Sequence, residues 1–216
     1  MGRKKRIWYP GAIYHVMSSG NRRGPLFAEE SDYLSFLEYV SLVKHIYPFK
    51  IHSCCLMTNH FHVLMESQDD SLPKIMQKIL YLYSVAFNRK YHFTGHVFES
   101  RYTGCLIENE RYFLEVSRYI HLNPVKAMMV KEPLAYEYSS YHQFVEMSCD
   151  DTKAGDCGRK VRGLISNLVD TSKVLGFFQP NSREQYRMFV EGRISHADHE
   201  LLIQKDINED ELWLPR

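Results

Sequence analysis

Two histidines stand one residue apart, His60 and His62, inside Leu56-Met57-Thr58-Asn59-His60-Phe61-His62-Val63-Leu64-Met65. About sixty residues later comes Tyr119-Ile120-His121-Leu122-Asn123-Pro124. On a strand, residues i and i+2 point to the same face, so His60 and His62 can grip one metal ion. On a helix, residues i and i+4 share a stripe, so Tyr119 and Asn123 face the same way. Docked against the histidine strand, that stripe offers the metal a third ligand, Asn123, and a phenolic nucleophile, Tyr119. The chemistry these four residue types support is metal-assisted attack of a tyrosine on a phosphodiester.

Each residue also has a plainer reading. A His-x-His pair alone is often a solvated or packing pair. Two neutral imidazoles and an amide carbonyl, with no carboxylate, suit a divalent ion that keeps positions open for phosphate oxygens, Mg²⁺ or Mn²⁺. A phenol with an ordinary pKa near 10 is a poor nucleophile at neutral pH, so Tyr119 needs activation. Tyr112 and Tyr102 are its nearest competitors. His121 lies off the Tyr119–Asn123 stripe and reads as structural. Cys54 and Cys55, near His52, lack a paired C-x₂-C spacing and read as buried strand cysteines. There is no phosphate-binding glycine loop and no serine nucleophile elbow.

Candidates for nucleic-acid contact are Asn21, Arg22, Arg23, Arg101 and the basic run Arg3-Lys4-Lys5-Arg6. Arg101, between Phe98 and Tyr102, would combine a guanidinium with rings able to stack on unpaired bases. Asn21 suits an adenine edge or a turn. The net charge is only +1, but residues 1–23 hold six basic residues and no acid, whereas residues 191–216 hold seven acids against Arg193, Lys205 and Arg216. A basic arm on a near-neutral chain can supply phosphate contacts.

The elements that must position these residues follow from periodicity. Residues 12–19 alternate as a strand and residues 20–25 read as a loop. Ser31 to Tyr47 forms a helix that Pro48 ends. Phe49 to Met57 and His60 to Glu66 form two strands about a Thr58-Asn59 turn. Leu72 to Tyr91 is a helix with Pro73 in its first turn. Val97 to Ile107 is a fourth strand, and Glu110 to about Leu122 a third helix. Pro124 should leave Asn123 at a helix end or kink. The order β-α-β-β-α-β-α predicts an α+β fold with a ferredoxin-like or RRM-like four-stranded antiparallel sheet. Its helices are expected on one face and the histidine strand at its centre. The expected division is a main domain over 1–147, a polar linker over 148–163 and a C-terminal helical extension over 164–216.

These residues together resemble the HUH single-tyrosine (IS200-like) transposases, and within them the REP-associated tyrosine transposase branch. The resemblance rests on Tyr14-His15-Val16 with Gly20-Asn21-Arg22, Met57-Thr58-Asn59-His60-Phe61-His62, Phe98-Glu99-Ser100-Arg101-Tyr102 and Arg118-Tyr119-Ile120-His121-Leu122-Asn123-Pro124-Val125-Lys126-Ala127. It covers roughly residues 8–145, in matching order. It implies cleavage and rejoining of single-stranded DNA beside a REP-like hairpin, through a covalent 5′-phosphotyrosine on Tyr119. His60, His62 and Asn123 would hold the metal. The long C-terminal segment resembles the REP-associated branch, which implies a monomer. The competing readings are a non-catalytic RRM-like hairpin binder and a metallo-hydrolase that uses water in place of Tyr119.

With 216 residues and 44% apolar content, the chain suits one substantial domain with an appendage. No apolar run approaches the roughly 18 residues of a membrane span. The first residues show no apolar signal region, and the five cysteines are irregularly spaced. A cytoplasmic, nucleoid-associated protein with free thiols is the expectation.

Overall fold

The computed structural model describes residues 7–145 and 156–192. Four strands form one antiparallel sheet: β1 (Ile13–Ser19), β2 (Phe49–Met57), β3 (His60–Ser67) and β4 (Thr103–Leu106). Their order is β2-β3-β1-β4, so the histidine strand is central. Between and after them run α1 (Glu30–Ile46), α2 (Leu72–Tyr91), α3 (Glu110–Lys126), α4 (Tyr141–Val145), α5 (Asp156–Leu168), α6 (Ser172–Gly176) and α7 (Ser182–Glu191). This is the expected α+β, ferredoxin-like order. Among the described residues no helix is long and apolar enough to cross a membrane.

The helices do not share one face. On one side of the sheet, Tyr14, Val16, Phe61, Val63 and Met65 pack against α1, α2 and α5. On the other, Cys55, Met57 and Leu64 pack against α3, α4, α6 and α7. The reason is legible in β3, whose residues from Phe61 to Met65 are all buried. Phe61, Val63 and Met65 need cover on one face, Leu64 on the other, because alternate side chains leave opposite sides. Each face therefore carries its own helical layer.

Local chemistry sets the element ends. A reciprocal capping box between Glu29 and Asp32 starts α1. The Asn109 side chain accepts from Tyr112 N–H at 2.8 Å and starts α3. Contrary to the helix end expected near Leu122, α3 runs on to Lys126 with Pro124 inside it. Asn123 thus sits in the last turn, where Ala127 N–H still reaches its carbonyl at 2.9 Å. A proline near a helix end costs less than one at its centre because fewer intrahelical bonds lie beyond it.

Two other expectations are corrected. The fourth strand covers only Thr103–Leu106, because the chain bends at residues 99–101 and Phe98 meets the end of β1 only through an isolated bridge to Gly20, with Glu99 N–H bonded to Ser19 O. The interval expected as a linker over 148–163 contains the start of α5, whose Val161 and Ile165 are fully buried in the first core. Polar and glycine content there favours a loop, but the apolar pair is sufficient to dock the helix on α1.

The first core depends on aromatic packing. Phe36 is 1% exposed and meets Phe27, Phe61 and Tyr83 at centroid distances of 5.4, 4.9 and 5.2 Å. Phe36→Ala should destabilise the protein by about 3–5 kcal/mol, through reduced burial and the cavity left behind. A urea midpoint unchanged from wild type would contradict this packing.

Candidate nucleophile and metal-binding site

The site is built where β3, β1 and α3 meet. His60 and His62 lie on the face that α3 covers. In the β1–β3 ladder His62 pairs with Met17 and His60 with Ser19. α3 lies across β2 and β3 on this face. Its Tyr119 ring meets His62 edge-on at 5.5 Å between centroids. His60 and His62 rings stand 5.0 Å apart and perpendicular. Asn123, 8% exposed, lies next to both His60 and Tyr119 and acts on the titration of each. The four residues singled out from spacing are thus together.

Hydrogen bonds constrain which atoms of these groups are free. Asn59 Nδ2 donates to Arg23 O at 3.3 Å, which orients the amide so that its Oδ1 accepts from His60 Nδ1–H at 2.7 Å. That bond leaves His60 Nε2 bare. His62 Nδ1 stands 3.0 Å from His15 Nε2. Asn123 Nδ2 is buried and makes no hydrogen bond. Among the described residues no three His, Cys, Asp or Glu side chains gather at one point. The Asn123 amide, beside His60 and Tyr119, offers a donor of another type. The donor set fits a divalent cation that retains exchangeable positions.

Burial governs the protonation states. It pushes His60 down, against the opposing effect of Asn123. It pushes His62 well down, with the His15 and His60 charges acting in the same direction. Both rings are neutral at pH 7, as metal ligands must be. Burial raises the Tyr119 pKa, with Asn123 opposing. The phenol therefore holds its proton until something nearby stabilises the anion.

Two neighbours were not singled out from the sequence. His15 is buried, lies edge to edge and nearly coplanar with His62 (5.2 Å between centroids, 25°), and meets Tyr119 edge-on at 5.9 Å. Desolvation takes its pKa down to about 4. Its place depends on the β1–β3 register, which the sequence does not display. Lys126 was findable, because it extends the Tyr119–Asn123 stripe to i+7. Its Nζ lies 4.7 Å from the Tyr119 ring centroid. Desolvation, then the Arg118 charge, pushes it down to about 8, although the residue as a whole stays exposed.

His121 is structural, as its position off the stripe implied. It is fully buried, with Nδ1 2.7 Å from Tyr186 Oη and Nε2 2.8 Å from Ser140 Oγ. These bonds tie α3 to α7 and to the turn before α4. Cys54 and Cys55 are buried, and desolvation raises the Cys54 thiol to about 12. Tyr102 is buried in the first core, away from the histidines.

The DNA-contact candidates separate. Asn21, Arg22 and Arg23 are exposed in a 3₁₀ turn fastened to the histidine hairpin. Gly20 N–H donates to Asn59 O at 2.8 Å, and Leu26 and Phe27 N–H both reach Thr58 O. A Cβ on Gly20 would stand 2.1 Å from Gly24 O, so the turn requires glycine there. Arg22 and Arg23 both have left-handed backbone, φ 52 and 59. Such geometry costs of order 1–3 kcal/mol per non-glycine residue and concentrates at functional loops. Arg101 is exposed in a bend before β4, not on the strand. Its flanking rings Phe98 and Tyr102 are core residues, 9% and 6% exposed, so they offer no stacking platform. Arg3, Lys4, Lys5 and Arg6 lie outside the described residues.

Comparison with known proteins gives this geometry a context. No curated protein matches the chain. Among solved structures it is similar to a REP-associated tyrosine transposase bound to a REP hairpin, with a TM-score of 0.58 and 22% identity, over 73% of this chain and 93% of that one. That likeness concerns the fold. A putative transposase from Deinococcus radiodurans R1 is more distant, with a TM-score of 0.40 and 12% identity, over 55% of this chain and 95% of that one. A family model described as "Transposase IS200 like" matches residues 9–123, a span that includes β1, the histidine hairpin, Tyr119 and Asn123. With more than half of its length matched by that model, the chain belongs to the IS200-like transposase family.

Proposed function

We propose that this transposase binds a DNA hairpin of the REP type and cuts and rejoins the adjoining single strand with Tyr119 as nucleophile. The observation that carries the reading is the meeting of Tyr119 with His60, His62 and Asn123, from elements far apart in sequence. The hairpin partner follows the fold likeness to a protein solved with such a hairpin.

Tyr119 Oη attacks the scissile phosphorus and gives up its proton. The bond from phosphorus to the 3′ oxygen breaks, and that oxygen takes a proton. The products are a 5′-phosphotyrosine and a free 3′-hydroxyl. One phosphodiester replaces another, so the reverse attack rejoins strands without an external energy source. His60, His62 and Asn123 would hold Mg²⁺ or Mn²⁺, which when bound polarises the phosphate and offsets charge that develops on it. Lys126, over the Tyr119 ring, supplies positive potential where the phenolate forms. Partial burial keeps competing water from the phenol.

The RRM-like binding alternative finds both sheet faces largely covered among the described residues. An RRM reads nucleic acid on an open sheet face, whereas helices cover both faces here. The deciding experiment mixes the protein with labelled hairpin-flanked single-stranded DNA and Mn²⁺ or Mg²⁺, then runs a denaturing gel. A covalent adduct with a matching cleaved strand is expected. Hairpin binding without any adduct, across both metals and several flanks, would return the weight to a binding module.

The exposed turn supplies phosphate contacts beside the site. Because Arg22 and Arg23 are left-handed, glutamine is the cleaner replacement: it removes charge without altering the backbone demand. Arg22→Gln/Arg23→Gln should weaken hairpin binding and flatten the salt slope by about 1.4, roughly 0.7 for each arginine that neutralises a single-strand phosphate. Titrations at several salt concentrations check this. An unchanged slope would remove the turn from the interface.

A further inference from the structure

Each of the two histidines has its Nδ1 against a neighbouring side chain. The Asn59 carbonyl oxygen holds His60 Nδ1–H at 2.7 Å. The corresponding atom of His62 faces a nitrogen, His15 Nε2, at 3.0 Å. An N···N contact of this length carries one proton, and which ring owns it decides what the other ends can do. If His15 owned it, His62 would carry its proton on Nε2 and present N–H where a ligand lone pair is needed. If His62 owns it, both His60 and His62 present bare Nε2 atoms.

We propose that His15 is a positioning residue that accepts the Nδ1 proton of His62 and so fixes the metal-binding tautomer and ring plane of that histidine. Three observations support the assignment. The His15 ring lies 25° from the His62 ring plane at 5.2 Å, which restrains rotation of His62 about its Cβ–Cγ bond. His15 stands opposite Leu64, one diagonal step from His62 in the β1–β3 register, so two central strands hold the pair rigidly. And His15 Nε2 approaches the Nδ1 edge of the His62 ring, away from the Nε2 that would ligate, so His15 is placed as a partner of the ligand. It lies behind His62, where the partner of a metal-bound imidazole belongs. His15 also meets the Tyr119 ring edge-on at 5.9 Å, so one side chain abuts both the ligand and the nucleophile.

The inference rests on the reading of His60 and His62 as metal ligands, and its test separates the two. In metal-free, full-length wild-type protein, long-range ¹H–¹⁵N NMR reports the tautomer of each ring. His62, assigned by the disappearance of its signals in His62→Gln, should be the Nδ1–H tautomer, with His15 bare at Nε2. A His62 ring protonated at Nε2 overturns the proposal whatever the metal does. The second measurement is Mn²⁺ binding, with no DNA and no turnover. His15→Phe keeps a ring but removes the acceptor, and should weaken Mn²⁺ binding by about 10- to 100-fold. His15→Gln places an amide oxygen near the former Nε2 and should recover most of that affinity. Wild-type affinity in a folded His15→Phe protein also overturns the proposal. Should wild type itself bind no Mn²⁺, the metal reading fails, and the tautomer measurement still decides whether His15 sets His62. It decides equally if His15→Phe fails to fold.

Discussion

Tyr119→Phe is expected to abolish strand cleavage and the covalent adduct together, while hairpin affinity, Mn²⁺ binding and thermal midpoint stay close to wild type. The substitution removes one oxygen and keeps the ring. That ring has the edge contacts to His15 and His62 and the Lys126 cation over its face, all of which phenylalanine can reproduce. The missing oxygen is the attacking atom, so the rate should drop by about 10⁴- to 10⁶-fold, the scale seen when an enzyme loses its nucleophile. A Tyr119→Phe protein that still cuts without an adduct would make water the nucleophile. One that still forms an adduct would point to another tyrosine. Tyr112, two turns earlier on α3 and half-buried against the second core, would be tested next.

Removal of the histidines should have nearly as large an effect on cleavage, with different effects on the fold. His60 is half-buried at the hairpin, so His60→Ala should fold normally, bind the hairpin, bind Mn²⁺ poorly and fail to cut. His62 is 4% exposed. His62→Ala opens a cavity and leaves His15 Nε2 facing it, so a stability loss of about 1–3 kcal/mol should accompany the loss of activity. Asn123→Ala leaves both imidazoles in place, and excess Mn²⁺ should restore part of its activity. Calorimetric Mn²⁺ titration alongside circular dichroism separates these outcomes. A folded His60→Ala protein with undiminished Mn²⁺ affinity and cleavage would show that the pair packs and does not ligate.

The two largest effects fall on residues whose grouping is legible in the sequence. His60 and His62 share a face by strand periodicity, and Tyr119 and Asn123 by helix periodicity. Each pair is separated by less than two turns or one pleat, so local geometry alone sets its orientation. Lys126 obeys the same rule at i+7. The rule also turns His121 away from the site, since it stands only two residues from Tyr119. Arg101 shows where local reading fails. Its flanking aromatics have the composition of a stacking platform, but Phe98 and Tyr102 are held in the core by α1, α2 and the sheet, and nothing within five residues of Arg101 encodes that burial.

By itself, then, the sequence determined the strand and helix order, the central place of the histidine strand and the four residues on which the proposed chemistry rests. Each of those is a statement about short-range periodicity or the order of elements. Tertiary structure decided that α3 lies on the opposite face from α1 and α2, that α5 closes the first core and that His15 stands behind His62. Those depend on strand register and on which of two apolar faces a helix finds. The β1–β3 contact joins residues 47 apart, and a one-residue slip in that register would turn His15 to the other face of the sheet. Only the packed core, with both faces of β3 buried at once, excludes the slip.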